Sequence, residues 1–371
     1  MQPKLIAPAY GRGCLTDLIP AMLGPGSAGA IPAAVGAPVP VNPSKPIVLL
    51  VLDGLGWDQL NDRPDLAPVM TAMTGSAITS VAPSTTATAL TSITTGLTPG
   101  EHGIAGYRMM IDGDVMNSLR WGSNALGDLR RTLPPDSLQP YEPFLGERVD
   151  YVSKAEFART GFTGAHLRGA HLHGYRTMAV MVSEIGRVTR GGAPFVYAYY
   201  DGVDKVAHEY GLDARYDAEV EFVDRLVADV IAAVPTGTQV FVTADHGQVD
   251  CGHDLRPVDP DVLAATETMS GEARFRWLHA KPGAERQLLD AATEAHGGQA
   301  WVRSRDQMVD EGWLGATVRA EVLDRYGSVA LLPFEPFGFD DPDDSGPFDL
   351  IGRHGSLTSE EMLVPLLVAE A

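Results

Sequence analysis

Three continuous apolar runs stand out along the chain, and each one ends on acidic residues. Ile47–Leu52 closes on Asp53 and Gly54, Phe195–Tyr200 leads to Asp201 and Asp204, and residues 240–244 lead to Asp245, His246 and Gly247. A run with no polar alternation is the pattern of a strand covered on both faces, and parallel sheets gather their functional residues at the carboxyl ends of such strands. The three runs therefore predict one parallel sheet with one active edge. Between the last two, Ala214–Ala233 sets Val220, Val223, Val227 and Ile231 on one helical face, which predicts a βαβ crossover.

Weaker patterns fill in the rest. Residues 78–81 predict a strand before a threonine-rich turn, and residues 87–95 a helix after it. Residues 14–23 predict a short helix, ended by Gly24, Pro25 and Gly26, inside an otherwise irregular Pro- and Gly-rich arm spanning 1–45. Residues 46–254 and 349–371 read as the catalytic core. Residues 255–348 read as an inserted cap, with candidate strands at Phe275–Ala280 and 329–332 and an acidic turn at 340–344. The segment 108–190 predicts two helices covering the other side of the site.

Bulk properties narrow the function class. The 371 residues are 44% apolar and 20% charged, as in an ordinary globular protein, with a formal net charge of -20. Such a surface repels nucleic-acid polymers and anionic membranes, whereas bound divalent cations can still attract a small anionic substrate. Only Cys14 and Cys251 occur, so no disulfide framework exists and a reducing, cytoplasmic setting is expected. No run reaches the roughly 18–20 apolar residues of a membrane span. Cys251 falls between His246 and His253 and reads as a loop thiol rather than a ligand.

The candidate chemistry lies where the patterns end. Asp53, Asp204, His208, Asp245, His246 and His354 offer oxygen and imidazole donors that suit Zn²⁺ or Mn²⁺, and two such ions can clamp the attacking and leaving oxygens of a phosphoryl transfer. Each has a bland alternative. A strand-end aspartate is commonly a turn or cap residue, the Asp204/His208 pair at i,i+4 is equally a surface contact, and His354 between Arg353 and Gly355 is equally a loop histidine. All of them, however, sit at predicted strand edges or in Gly-flanked loops. Thr85, Thr86 and Thr88 compete as nucleophile, and the same run also caps the following helix.

The motifs Pro83-Ser84-Thr85-Thr86 and Thr95-Gly96-Leu97-Thr98-Pro99-Gly100-Glu101-His102-Gly103-Ile104 resemble the type I phosphodiesterase/nucleotide pyrophosphatase family of the alkaline phosphatase superfamily. The resemblance covers residues 45–368 and is weakest over 255–348. It implies an α/β fold with an alkaline-phosphatase-like parallel-sheet core sandwiched by helices, and two divalent metal ions (zinc or manganese). It also implies Thr86 as the nucleophile, Asp204, His208 and His354 on one ion, and Asp53, Asp245, His246 and the Thr86 oxygen on the other.

The implied reaction is a two-step displacement through a nucleotidyl-threonine on a small nucleotide, without a nucleic-acid polymer or membrane as partner. The family's phosphate-binding Asn after the H-G-I stretch is absent. Tyr107 and Arg108 stand there and, with Lys205, are the candidate substrate contacts. Gly106-Tyr107-Arg108 and the ending His354-Gly355-Ser356-Leu357-Thr358, then Glu360-Glu361-Met362, resemble an actinobacterial branch that includes a cyclic di-AMP phosphodiesterase. Phosphonate hydrolysis, pyrophosphatase activity, and a catalytically silent nucleotide-binding protein are the alternatives.

Overall fold

The computed structural model describes residues 2–25, 29–344 and 349–371. Parts of two expected regions, 26–28 of the N-terminal arm and 345–348 of the cap, lie outside the described residues. At the centre is a seven-stranded sheet. Its strands are β1 (Ile47–Leu52), β2 (Thr74–Thr79), β3 (Asp150–Lys154), β4 (His171–Tyr175), β5 (Phe195–Tyr200), β6 (Gln239–Thr243) and β7 (Leu363–Glu370). The spatial order is β4-β3-β5-β1-β6-β7-β2. All pairings are parallel except those of β7, which runs antiparallel to both β6 and β2.

β1 occupies the middle, with β5 and β6 on its two sides, and all six of its residues are buried. That explains its unbroken apolar run. A central strand shows no solvent face, so nothing in it need be polar. The crossover helix Ala214–Ala233 joins β5 to β6 over β1 and buries Val220, Val223, Val227 and Val230, with Leu226 almost fully covered. Among the described residues no helix is long and apolar enough to cross a membrane.

The segment 108–190 departs from expectation. Besides the helices Gly161–His166 and Met178–Arg190 it holds two main-sheet strands, β3 and β4, and a small four-stranded sheet running from Arg108–Ile111 to Gly127–Asp128. Polar residues masked them: β4 is the edge strand, where His and Gly are tolerated, and β3 beside it buries its middle but has half-buried Asp150 and Lys154 at its ends. The N-terminal segment is also more ordered than its composition suggested. The helix Leu18–Leu23 follows a 3₁₀ turn at Leu15–Asp17, and Leu15, Leu18 and Ile19 are fully buried.

Residues 255–344 carry a second, antiparallel sheet: Thr266–Glu272, Phe275–Ala280, Val329–Pro333 and Ala300–Ser304, in that spatial order. It has its own apolar cluster, including Leu278, Leu288, Val329 and Leu331. A buried ion pair ties it to the end of the chain. Arg274 Nε lies 2.7 Å from Glu361 Oε1, and Arg274 Nη2 lies 2.8 Å from Oε2.

Candidate active site

The carboxyl ends of β1, β5 and β6 converge, and the backbone knits them together. Asp53 N–H donates to Tyr200 O, Asp204 N–H to Asp53 O, and Gly54 N–H to the Asp245 carboxylate, at 2.9, 2.9 and 3.2 Å. Gly54 has φ of +77°, and a Cβ there would stand 2.8 Å from the Asp204 Cα. Only glycine admits both the left-handed turn and that close approach. The Asp53-Gly54 pair therefore turns the chain out of β1 while leaving room for Asp204 at the first turn of the helix Gly202–Tyr210.

Six expected ligands meet at this edge. His208 Nε2 is 3.2 Å and His354 Nε2 3.8 Å from Asp204 Oδ1. His246 Nε2 is 3.4 Å from Asp53 Oδ1 and 3.5 Å from Asp245 Oδ2. Asp204, His208 and His354 form one group able to hold a metal ion, and Asp53, Asp204 and His246 form another, so Asp204 faces both. The His246 and His354 rings stack with centroids 3.5 Å apart.

The imidazole tautomers decide what this cluster suits. Nδ1 of His208 lies 2.7 Å from Gly352 O, Nδ1 of His246 3.0 Å from Gly247 O, and Nδ1 of His354 2.9 Å from Ser84 O. A carbonyl can only accept, so each Nδ1 carries the hydrogen and each Nε2 presents a lone pair to the carboxylates. Lone pairs facing carboxylate oxygens at these distances repel unless a cation lies between them. Asp53 Oδ1 and Asp245 Oδ2 are also buried without a hydrogen-bond partner.

Proton affinities point the same way. Burial, then the charges of Asp245 and Asp204, push the Asp53 carboxyl well above its ordinary range. Burial foremost also raises Asp245, with Asp204 adding to it and His246 opposing. His354 is held well below its ordinary value by burial and by His246 and His208. Carboxyls raised by their crowding, beside a His354 imidazole held neutral, make the donor set of a divalent cation site.

Thr86 opens the helix Thr86–Thr95, and its Oγ1 lies 3.1 Å from His246 Nε2. Thr85 is the N-cap residue, and Thr88 Oγ1 is buried without a partner. Of the three threonines, Thr86 is the one whose hydroxyl contacts the cluster. It lines a cavity of about 240 Å³ with Asp53 and Asp204, walled by Leu90, Phe157, Phe162, His166 and Tyr199. Lys205 lines the same cavity, 2.7 Å from Asp201 Oδ2, while Lys154 from the end of β3 sits 2.6 Å from Asp201 Oδ1. Burial pulls the Lys205 ammonium down, but Asp201 outweighs it and the net shift is upward.

Tyr107 and Arg108 line a different, polar cavity of about 290 Å³ with Asn117 and Arg120. The Arg108 guanidinium is committed to Asp341 at 2.5 Å, with Asp344 at 3.8 Å. Cys251 belongs to none of the metal-competent groups among the described residues. Its thiol is raised to about 11, chiefly by burial.

Sequence reading missed the side chains that support the ligands. The Tyr199 hydroxyl donates to Asp53 Oδ2, and Gln248 Nε2 donates to Asp204 Oδ1. Tyr199 was visible as the penultimate residue of β5, but nothing in spacing reveals which face it takes at a strand end.

A mostly parallel sheet covered by helices, with this cluster on its carboxyl edge, is an alkaline-phosphatase-like α/β fold. The sequence profile of the type I phosphodiesterase/nucleotide pyrophosphatase family matches residues 47–315, and the chain belongs to that family. Membership makes it a hydrolase of the phosphodiesterase/nucleotide pyrophosphatase type, in a family that is generally two-metal dependent.

Murine ectonucleotide pyrophosphatase/phosphodiesterase 5 shares the fold at TM-score 0.64 and 17% identity, over 87% of each chain. An inactive threonine-to-alanine variant of that murine protein, in complex with AMP, matches equally at 16% identity and TM-score 0.64, over 87% of each chain. Phosphonoacetate hydrolase from Sinorhizobium meliloti 1021, in complex with phosphonoformate, matches at TM-score 0.66 and 19% identity, over 90% of this chain and 92% of that one. Among curated protein sequences none matches this chain.

Proposed function

We propose that this protein is a metal-dependent phosphodiesterase that cleaves a nucleotide phosphodiester through a Thr86-linked intermediate. Its proposed substrate is cyclic di-AMP, converted by way of linear pApA to AMP in the cytoplasm. The observation that carries the reading is the Thr86 hydroxyl, 3.1 Å from His246 Nε2, at the meeting point of the ligand cluster and an aromatic-walled cavity.

Asp204, His208 and His354 would hold one divalent cation, and Asp53, Asp245 and His246 with the Thr86 oxygen would hold the other, zinc or manganese. When bound, such ions supply Lewis-acid stabilisation of an alkoxide and of the charge on the transferred phosphoryl group. The side chains do the rest. Oγ1 of Thr86 gives up its proton to solvent and forms the new bond to phosphorus as the ester P–O bond breaks, and the leaving oxygen takes a proton from solvent. Water then cleaves the Oγ1–P bond, restores the hydroxyl and releases the nucleotide.

The first intrahelical bond after Thr86 is Ala89 N–H to Thr85 O, so among the described residues the N–H groups of Thr86, Ala87 and Thr88 have no partner at the helix start and can receive phosphoryl oxygens. Phe157, Phe162 and Tyr199 offer a flat base an apolar wall. Lys205, at the same cavity, suits the second phosphate of a dinucleotide. The AMP complex of the murine relative's inactive variant supports an adenylate product. A net charge of -20 supports a small nucleotide over a polymer.

Phosphonate hydrolysis is the second reading, favoured by the paired Lys154 and Lys205 on Asp201, which form a cationic lip suited to a small dianion. One panel separates the two. Cyclic di-AMP, pApA, NAD, bis-p-nitrophenyl phosphate and phosphonoacetate are incubated with Mn²⁺ or Zn²⁺, wild type beside Thr86→Ala and Asp245→Asn. AMP release that needs metal and is abolished by both substitutions is expected. Turnover of phosphonoacetate alone would replace the diesterase by the second reading. Tight nucleotide binding with no turnover of any substrate would make the chain a binding protein.

A further inference from the structure

At the opposite, amino-terminal rim of the sheet, strands β3 and β4 begin with a second set of metal-competent side chains. Asp150 opens β3, His171 opens β4, and the two are paired in register. His173 lies two residues further on and so projects from the same face of the strand as His171. Lys154, at the far end of β3, is the residue that pairs with Asp201 beside the catalytic cavity. Four residue steps along the strand, roughly 13 Å, separate it from Asp150. This cluster therefore shares no ligand with the catalytic one.

We propose that Asp150, His171 and His173 form a third cation site, for one divalent transition-metal ion of the zinc or nickel type. Two imidazoles and one carboxylate are the donors such ions prefer, whereas calcium and magnesium take oxygen ligands. One donor atom of each already lies within 4.8 Å of the others. Asp150 Oδ1 lies 3.2 Å from His171 Nδ1 and 2.7 Å from His173 Nε2, and the two rings are 4.5 Å apart. Bonds of about 2.0–2.1 Å at a tetrahedral angle put ligand atoms roughly 3.3 Å apart. The His171 contact matches that edge, and the His173 contact opens by about 0.6 Å on binding. His171 is 74% exposed, which leaves a path for the ion and a vertex for water.

The helix Met178–Arg190 supplies a switch on His173. Arg187 Nη2 lies 2.9 Å from His173 Nδ1, and because a guanidinium only donates, Nδ1 accepts and the ring proton sits on Nε2, donated to Asp150. Binding a metal at Nε2 moves that proton to Nδ1, with no net release from the ring. Nδ1–H then turns to Glu184 Oε2, 3.7 Å away, and Arg187 gives way to it. The result is a carboxylate–histidine–metal arrangement in which Glu184 orients the ligand.

The test compares metal content. Wild type, His171→Ala and Asp150→Asn are equilibrated with Zn²⁺, passed through a desalting column and assayed for zinc per chain, with thermal melts confirming folding. Each variant is expected to hold one ion fewer than wild type while retaining hydrolase activity. The difference between proteins is the readout, so it stands whatever the catalytic cluster binds. Glu184→Gln should weaken the site about 10–100-fold, and Arg187→Ala should tighten it. Equal zinc content in wild type and both variants would overturn the proposal, as would loss of zinc in His171→Ala but not in Asp150→Asn.

Discussion

The Thr86 hydroxyl lies 3.1 Å from Nε2 of His246, whose opposite ring nitrogen is fixed on the Gly247 carbonyl. The hydroxyl thus stands beside the ring nitrogen whose lone pair is available to a cation, which places Oγ1 next to the same ion that His246 would hold. Thr86→Ala should lower diester turnover by on the order of 10⁴-fold or more, as removal of a nucleophile does elsewhere. Thr86→Ser keeps the oxygen and should retain measurable activity. Rapid quenching followed by mass spectrometry should find the nucleotidyl adduct on the peptide bearing residue 86. Full activity in Thr86→Ala would remove the covalent step.

Tyr199 and Gln248 each hold one carboxylate oxygen of the cluster, on Asp53 and Asp204 respectively. Partners of this kind fix ligand orientation, and their loss typically costs 10–100-fold in metal affinity. Tyr199→Phe removes only a hydroxyl from a half-buried ring and should weaken metal binding by about that factor without unfolding the protein. Isothermal titration with Mn²⁺ checks it. An unchanged affinity would mean that Asp53 is positioned by its backbone alone.

The contrast between these residues and the ligands shows what the sequence made legible. β1, β5 and β6 were readable because central strands are apolar throughout, and the acidic residues after them broke the pattern conspicuously. The crossover helix Ala214–Ala233 was readable from its single apolar face. β3 and β4 were not, because the edge strand β4 carries His171 and His173 and its neighbour β3 begins and ends on Asp150 and Lys154, with no apolar run to mark either. β7 contains Pro365, which argues against a central strand, yet it lies between β6 and β2. Tyr199 and Lys154 come from two strands and Gln248 from the loop after β6, and no linear spacing encodes that meeting.

Glu361 links the second sheet to the loop that carries His354. Besides the Arg274 pair it accepts from Ser356 N–H at 3.0 Å and from the Thr358 hydroxyl at 2.7 Å, all fully or nearly fully buried. Gly355, between His354 and Ser356, has φ of +130°, and a Cβ there would stand 2.9 Å from Glu272 Cγ. The loop is therefore held from both sides. Glu361→Ala strands the Arg274 charge in the interior and should cost about 3–5 kcal/mol of stability. It should also weaken metal binding, because His354 loses its anchor. Urea unfolding and metal titration of the same variant measure the two effects, and loss of stability without loss of metal affinity would uncouple the loop from Glu361.

His102, part of the family motif, is a structural staple in this fold and a source of acid sensitivity. Its Nδ1 accepts from Ile104 N–H at 3.1 Å, so Nε2 carries the hydrogen and donates to Ser92 Oγ at 2.9 Å. No lone pair remains for a second proton. Burial, with Arg319 and Arg325 nearby, lowers the imidazole to about 3. In the unfolded chain it titrates near 6.5, so the unfolded state binds the extra proton first as pH falls. The contribution is fully present above about pH 6.5 and is lost steadily down to about pH 3. Between pH 7.5 and 5.5 this one group should remove about 1.4 kcal/mol of stability. His102→Gln should be less stable than wild type at pH 7.5 but lose correspondingly less on acidification. Urea unfolding of both proteins at the two pH values gives the comparison, and parallel losses in both would show that His102 titrates normally in the folded state.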